Sequence, residues 1–168
     1  MRNHAIVTLS LAMVFVFLFA FSSTSGEKKL TRKQVPAAVL TAFEKAYPSA
    51  TIKGYSKENE KGKVFFEIES MDGKTGRDVL YNKDGSVAEV EEAMAAADLP
   101  AAVKSAVSKE YPKGTISKAE KTTRGNDVSY EVHLMIGKSK HEVVLDANGK
   151  VIKHEKESEE ENEKSEKD

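Results

Sequence analysis

The chain of 168 residues carries 26 lysines and arginines against 27 aspartates and glutamates, and it contains no cysteine. This near-neutral charge argues against nucleic-acid binding, which usually requires a strong basic excess. The lack of cysteine excludes a disulfide scaffold, thiol catalysis, Cys-ligated zinc and a lipid-anchoring cysteine.

The N-terminal segment 1–25 has the pattern of a secretory signal peptide. Arg2 and His4 precede an apolar run over residues 5–21, and small residues follow it. An uncleaved anchor helix is the alternative, although an apolar run of this length is at the lower limit for spanning a bilayer. In either case we expect the rest of the chain to be exported, to the periplasm or to the medium.

The remaining sequence contains a tandem repeat. Residues 35–92 align with residues 99–156 without a gap. So many of the aligned pairs are identical in this one register that they indicate a duplication. We therefore divide the chain into a signal peptide (1–25), a first repeat (30–92), a second repeat (93–156) and a disordered acidic tail (157–168).

Each repeat is predicted to begin with a helix. Pro36 and Pro100 stand near the first helical position, where proline is tolerated, and Asp98 is placed to cap the second helix. A Tyr-Pro pair ends each helix, because the residue before proline avoids helical geometry. An apolar residue at every fourth position gives each helix one apolar stripe: Val35, Val39, Phe43 and Tyr47, then Leu99, Val103, Val107 and Tyr111.

Four short strands are predicted after each helix, with hairpin turns at Asp72-Gly73, Asp84-Gly85 and Asn148-Gly149. The strands lie near 51–57, 63–70, 75–82 and 86–91, and again near 115–121, 127–135, 139–146 and 150–155. The predicted fold class is α+β: two tandem repeats, each with one helix packed on a four-stranded antiparallel meander. Because a unit of about 60 residues buries only about 60 % of its surface and is marginally stable alone, we expect the two units to pack as one body.

Alternation along the strands predicts a helix-covered face and a helix-free face. The helix-covered face of the first unit holds Val64, Phe66 and Ile68, together with Val79 and Tyr81 from the following strand. The second unit places Val128, Tyr130, Val132 and Leu134 on the same face. This face must cover the apolar stripe of each helix.

Acidic pairs are predicted on the helix-free face, with Glu67 opposite Asp78 and Glu131 opposite Glu142. Like charges directly opposite each other are unfavourable unless a cation compensates them. Lys53, Lys57 and Lys121 share the strand parity of these acids and are the expected compensation. A divalent cation is the weaker alternative, because two carboxylates are too few for a hard cation. The sequence therefore predicts no metal site.

The helix-free face is also the predicted partner-binding face. Apolar residues make it more apolar than a solvated sheet requires: Phe65, Leu80, Ala88, Val90, Val144 and Ile152. An exposed apolar patch marks a partner surface, unless linkers or the other unit cover it. The candidate partner-binding residues are Phe65, Glu67, Leu80, Glu131, His133 and Val144.

Catalytic and cofactor motifs are not found in the sequence. It has no Gly-x-Ser-x-Gly elbow and no glycine-rich phosphate loop between a strand and a helix. His133 and His141 are predicted on opposite faces of the sheet, which argues against a two-histidine metal site. The chain is therefore predicted not to be an enzyme and to need no cofactor.

The order and spacing of several short segments resemble the PepSY-like family, also described as β-lactamase-inhibitor-like. In the second unit these segments are residues 99–103, Tyr111-Pro112, 130–132 and 145–151; in the first they are residues 35–39, Tyr47-Pro48 and 81–85. The resemblance covers about residues 30–156. It implies an exported bacterial protein of helix-and-sheet repeats with an inhibitory or binding role and no catalysis, and it supplies no binding residues.

Two functions are consistent with these observations. The first is a non-enzymatic module that binds or inhibits a protein partner, such as an envelope or secreted hydrolase, through the helix-free face. The alternative is an envelope protein that responds to a small ligand or a metal. Neither nucleic acid nor, after signal cleavage, a membrane is an expected partner.

Overall fold

The computed structural model describes residues 27–60 and 62–156, so the predicted signal peptide and acidic tail lie outside the described residues. Two α-helices of the described residues, α1 (Ala37–Ala46) and α2 (Ala101–Glu110), occupy equivalent positions in the aligned segments 35–92 and 99–156. Pro36 and Pro100 stand at their N-termini as predicted. Asp98 does not cap α2; it ends a short 3-10 helix, Ala96–Asp98.

Nine strands form a single antiparallel sheet in which every strand pairs with its neighbours in sequence. They are β1 (Lys28–Lys29), β2 (Thr51–Glu60), β3 (Lys63–Asp72), β4 (Thr75–Tyr81), β5 (Val87–Met94), β6 (Gly114–Arg124), β7 (Asp127–Ile136), β8 (Ser139–Asp146) and β9 (Val151–Lys156). The fold is therefore α+β, with two helices and one nine-stranded sheet. Among the described residues, no helix is long and apolar enough to cross a membrane.

The sequence did not predict strand β1. Its pairing with β2 resembles the pairing of β5 with β6, so the similarity of the two units continues towards the N-terminus. Lys28 pairs with Lys57 on β2, and Glu92 pairs with Lys121 on β6. Lys57 and Lys121 are equivalent in the repeat alignment, so β1 lies beside β2 as the end of β5 lies beside β6. Continuing the alignment makes Glu27, just before β1, the counterpart of Glu91.

Each helix packs on the same face of the sheet and forms its own apolar core. Val39 and Phe43 of α1 pack with Ile68 and Val79, while Val103 of α2 belongs to the second core. The predicted helix stripes are therefore correct, and so is the predicted helix-covered face except at its end, where Val64 is 36 % exposed and Val128 joins neither core. Burial of each large apolar side chain contributes roughly 1.5 to 3 kcal/mol.

Two equivalent hairpin turns set the register of the central strands, one residue later than predicted. Asp72 pairs with Thr75, so the turn is Gly73-Lys74 rather than Asp72-Gly73, and Gly73 has a φ of +61°. A two-residue turn of this kind favours glycine at a positive φ. The shift leaves the side chains of β3 and β4 on their predicted faces but changes their cross-strand partners.

The new register corrects the predicted acidic pairs. Glu67 lies opposite Leu80, and Asp78 lies opposite Glu69 instead. In the second unit the same correction places Glu131 opposite Val144 and Glu142 opposite His133.

Candidate binding face

The helix-free face carries an open depression of about 340 Å³ that crosses both units, here called the acidic trough. From the first unit and its N-terminal extension it is lined by Glu27, Glu58, Glu67, Glu69, Asp78 and Glu91. From the second unit it is lined by Lys118, Glu120, Glu131, His133 and Glu142. Nine of the lining residues are acidic, so the trough favours cationic ligands.

The sheet register places carboxylates side by side on neighbouring strands. Glu69 on β3 pairs with Asp78 on β4, and Asp78 pairs with Glu91 on β5. In the hairpin of β6 and β7, Glu120 on β6 pairs with Glu131 on β7. Because like charges directly opposite each other are unfavourable, a bound cation would relieve repulsion on this face.

The protonation of these acids reflects their crowding. Burial raises the pKa of Asp78 to about 6, with the charges of Glu67 and Glu69 adding to the effect. Burial also raises the pKa of Glu67 to about 7, although Ser56 donates a hydrogen bond of 2.6 Å to its carboxylate. Burial and the charge of Glu89 raise the pKa of Glu91 to about 9. Part of the trough is therefore protonated near neutral pH.

The compensating cations are not the predicted lysines. Lys57 pairs with Phe66, and Lys121 pairs with Tyr130, so both point to the helix-covered face. Lys53 lies at the irregularity in β2 and does not line the trough.

Two other lysines contact the acids of this face. Lys118 lies in the trough, with its Nζ 2.7 Å from Glu120 Oε2. Beyond the trough lining, Lys153 Nζ lies 3.2 Å from Glu142 Oε1. Compensation therefore comes mainly from the second unit.

The six candidate partner-binding residues divide into two groups. Glu67, Glu131 and His133 line the trough. Phe65, Leu80 and Val144 are on the same face but buried, with exposed fractions of 6, 2 and 5 %. Lys63 lies over the Phe65 ring, 4.9 Å from its centroid. The apolar side chains therefore form the floor of the face and leave little surface for a partner.

Two other residues of the expected apolar patch, Val90 and Ile152, do not form an exposed apolar surface on the helix-free face. Val90 lies opposite Val79 and packs in the first helix-covered core, so it is on the other face. Ile152 is 39 % exposed. The face that a partner meets is polar and acidic, not apolar.

Sequence reasoning missed Glu91 and Glu120, which lie on the two strands that join the units. The alternation of Glu89, Val90 and Glu91 in β5 was the available signal: once Val90 is assigned to the core, both glutamates lie on the helix-free face.

The two histidines of β7 and β8 lie on opposite faces as predicted, since His133 pairs with Glu142 and Leu134 with His141. His141 instead contacts His154, with 3.0 Å between Nδ1 and Nε2. Of these three histidines, only His133 lines the trough.

Comparison with known proteins identifies one matching family model and several solved structures with a similar fold. A family model described as “Putative beta-lactamase-inhibitor-like, PepSY-like” matches residues 23–74 and 64–153. No curated protein shows significant similarity to this chain.

Solved structures from three Bacteroides species are similar in fold. One of the “putative periplasmic proteins” of Bacteroides eggerthii has a TM-score of 0.62 at 16 % identity, over 73 % of this chain and 88 % of that one. A DUF2874 family protein of Bacteroides uniformis has a TM-score of 0.61 at 17 % identity, over 72 % and 88 %. A BLIP-like protein of Bacteroides fragilis has a TM-score of 0.58 at 20 % identity, over 72 % and 86 %. At these identities the likeness shows the fold alone.

Proposed function

The chain belongs to the PepSY-like family, and from this premise we propose that it is an exported, non-enzymatic binding module whose acidic trough binds a protein partner with a basic surface. The observation that carries the proposal is the set of nine acidic residues against one lysine and one histidine in the trough. Complementary charge steers such a partner to the face and rejects acidic proteins.

The composition of the trough favours a protein partner over a small organic ligand. Sites for small molecules are mostly apolar with a few polar groups. Here the lining is almost entirely charged, and the apolar residues Phe65 and Leu80 lie buried beneath it. An envelope or secreted hydrolase is the partner class that we infer from the family description.

Export is part of the same proposal. It is supported by the signal-peptide pattern of residues 1–25 and by the description of the Bacteroides eggerthii structure as periplasmic. We further infer that the chain duplicates a unit of one helix on four meandering strands, and that the pairing of β5 with β6 joins the two copies into one body.

Charge reversal in the trough tests the binding proposal. Glu69→Lys places a cation among the acids, whereas Glu110→Lys makes the same change on the exposed surface of α2. We expect the wild type and Glu110→Lys to retain the same proteins from an envelope extract at low salt, and Glu69→Lys to lose them. Retention should also fall steeply from about 50 to about 500 mM salt, conditions over which screening strengthens.

The proposal fails if Glu69→Lys captures the same proteins as Glu110→Lys, or if salt leaves the captured set unchanged. A hydrolase among the captured proteins should lose activity on addition of the wild type but not of Glu69→Lys. Unchanged hydrolase activity with both would remove the inhibitory part of the proposal and leave the binding part.

A further inference from the structure

The second unit brings a nitrogen donor and two carboxylates together in the lining of the trough. One ligand atom from each of Glu120, Glu131 and His133 lies within 4.8 Å of the other two. Glu131 and His133 are two residues apart on β7 and therefore share a face, while Glu120 stands directly opposite Glu131 on β6. Neighbouring strands of one sheet thus hold all three donors, and His133 Nε2 is 2.8 Å from Glu131 Oε1.

The surroundings of these donors favour a cation. The side chains of Glu120 and Glu131 are only 10 % and 17 % exposed, so water screens their repulsion poorly. Lys118, which contacts Glu120, is 54 % exposed, so its ammonium can move to solvent when another cation enters. An imidazole beside two carboxylates also distinguishes this group from an ordinary acidic patch.

We propose that Glu120, Glu131 and His133 form a binding site for a borderline transition-metal cation, Zn²⁺ in particular. Zn²⁺ accepts histidine nitrogen and carboxylate oxygen at about 2.0 to 2.2 Å, and three protein ligands leave its fourth position open. The three donors need small side-chain rotations to reach these distances. Ca²⁺ and Mg²⁺ prefer all-oxygen sites with more ligands, so the histidine selects against them.

The first unit provides a natural comparison. In the repeat alignment its equivalent positions are Ser56, Glu67 and Glu69, which offer no nitrogen donor. Ser56 already donates a 2.6 Å hydrogen bond to Glu67. Glu27, Glu67 and Glu69 also lie within 4.8 Å of one another, but they form an all-carboxylate group. The proposed nitrogen-containing site is therefore specific to the second unit, and its test is independent of the protein partner.

Metal titration of the purified chain lacking residues 1–25 tests the site. We expect one Zn²⁺ to bind by calorimetry, with affinity reduced at least about tenfold in His133→Gln and in Glu131→Gln. The control is His141→Ala with His154→Ala, which removes the histidine pair on the opposite face and should leave the affinity unchanged. Co²⁺ in place of Zn²⁺ should give the strong visible absorption of a four-coordinate site.

Two results would overturn the proposal: equal Zn²⁺ affinity in the wild type and His133→Gln, or loss of binding in the His141→Ala, His154→Ala control. Competition by millimolar Ca²⁺ at the same stoichiometry would also contradict the assigned selectivity. In case the variants fold poorly, the imidazole ¹⁵N signals of His133 in the wild type provide a second readout. They should shift on addition of one equivalent of Zn²⁺, and an unchanged signal would count against the site.

Discussion

At the scale of single residues, two glycines decide how closely the helices approach the sheet. Gly85 and Gly149 lie in the turns before β5 and β9 with φ values of +85° and +81°. A Cβ at these positions would lie 2.6 Å from Ala38 O and 2.5 Å from Ala102 O, in the first turn of each helix. Both the backbone conformation and the contact with the helix therefore require glycine.

We expect Gly85→Ala to destabilise the protein by at least about 2 kcal/mol, because it adds a backbone clash to the strain of a positive φ. Gly73→Ala is the matched control: its φ is +61°, but nothing lies within 4 Å of the added Cβ. It should cost about 1 kcal/mol, the strain alone. Urea unfolding measures both, and equal losses would mean that the helix contact contributes nothing.

The raised pKa of Glu67 predicts how stability depends on pH. A carboxyl whose pKa is raised by folding takes up a proton more readily in the folded state, so stability falls as pH rises from about 4.5 to about 7 and stays low above. Glu67→Gln removes this penalty and should gain about 1 to 3 kcal/mol at pH 8 but little at pH 4. This pH-dependent gain is measured from the urea unfolding midpoints at both pH values, with Glu110→Gln at an exposed position as the control. An equal gain at both pH values would contradict the assignment.

At the scale of elements, the junction of β5 and β6 contains an ion pair whose carboxylate, that of Glu89, is fully buried. Glu89 on β5 is fully buried, and Arg124 at the end of β6 donates from Nε to its Oε2 at 2.5 Å. Removal of Arg124 would leave the Glu89 carboxylate buried and uncompensated. This pair therefore links the two units in addition to the strand pairing.

Arg124→Met should destabilise the protein by about 3 kcal/mol, and the double variant Glu89→Leu, Arg124→Met should recover most of the loss. Arg32→Met is the control, since the Arg32–Glu44 pair has the same chemistry at 2.6 Å but is about half exposed. Arg32→Met should lose much less stability than Arg124→Met, because water screens the exposed pair. Thermal unfolding compares the stability of the variants with that of the wild type. Similar losses of stability in Arg124→Met and Arg32→Met would contradict a special contribution of the Glu89–Arg124 pair.

Element types were predictable because each depends on local pattern, whereas cross-strand partners depend on single residues in turns. The stripe through Val39 and Phe43 predicted α1 and the face that covers it. The pairing of Glu67 was wrong because the turn begins at Gly73 and not Asp72, a choice that the dipeptide alone does not settle. Strand β1 is too short for any periodicity. Glu120 was missed because the irregularity of β6 between Ile116 and Lys118 reverses the alternation that would otherwise place Glu120 on the helix-covered face.

At the scale of the whole molecule, two separate apolar cores share one continuous sheet. Consecutive residue pairs, from Val90–Thr123 to Met94–Ala119, join the units. Each unit alone would bury only about 60 % of its surface, so the stability of one depends on the other. The two units should therefore unfold together.

Phe43→Ala tests this coupling, because Phe43 belongs only to the first core. It should cost about 3 to 5 kcal/mol. If the units are coupled, hydrogen exchange should accelerate in β6, β7 and β8 as well as in β2, β3 and β4. Unchanged protection in β6 to β8 would mean that the second unit keeps its structure independently.

The outermost strands of this sheet have a consequence for the behaviour of the protein at high concentration. An unpaired sheet edge is a template for aggregation unless it is short or charged. Here one border is only Lys28 and Lys29, and the other, β9, carries Lys153, Glu155 and Lys156. Among the described residues, both borders of the nine-stranded sheet therefore disfavour pairing with a strand of another molecule, and we expect the protein to resist edge-to-edge aggregation.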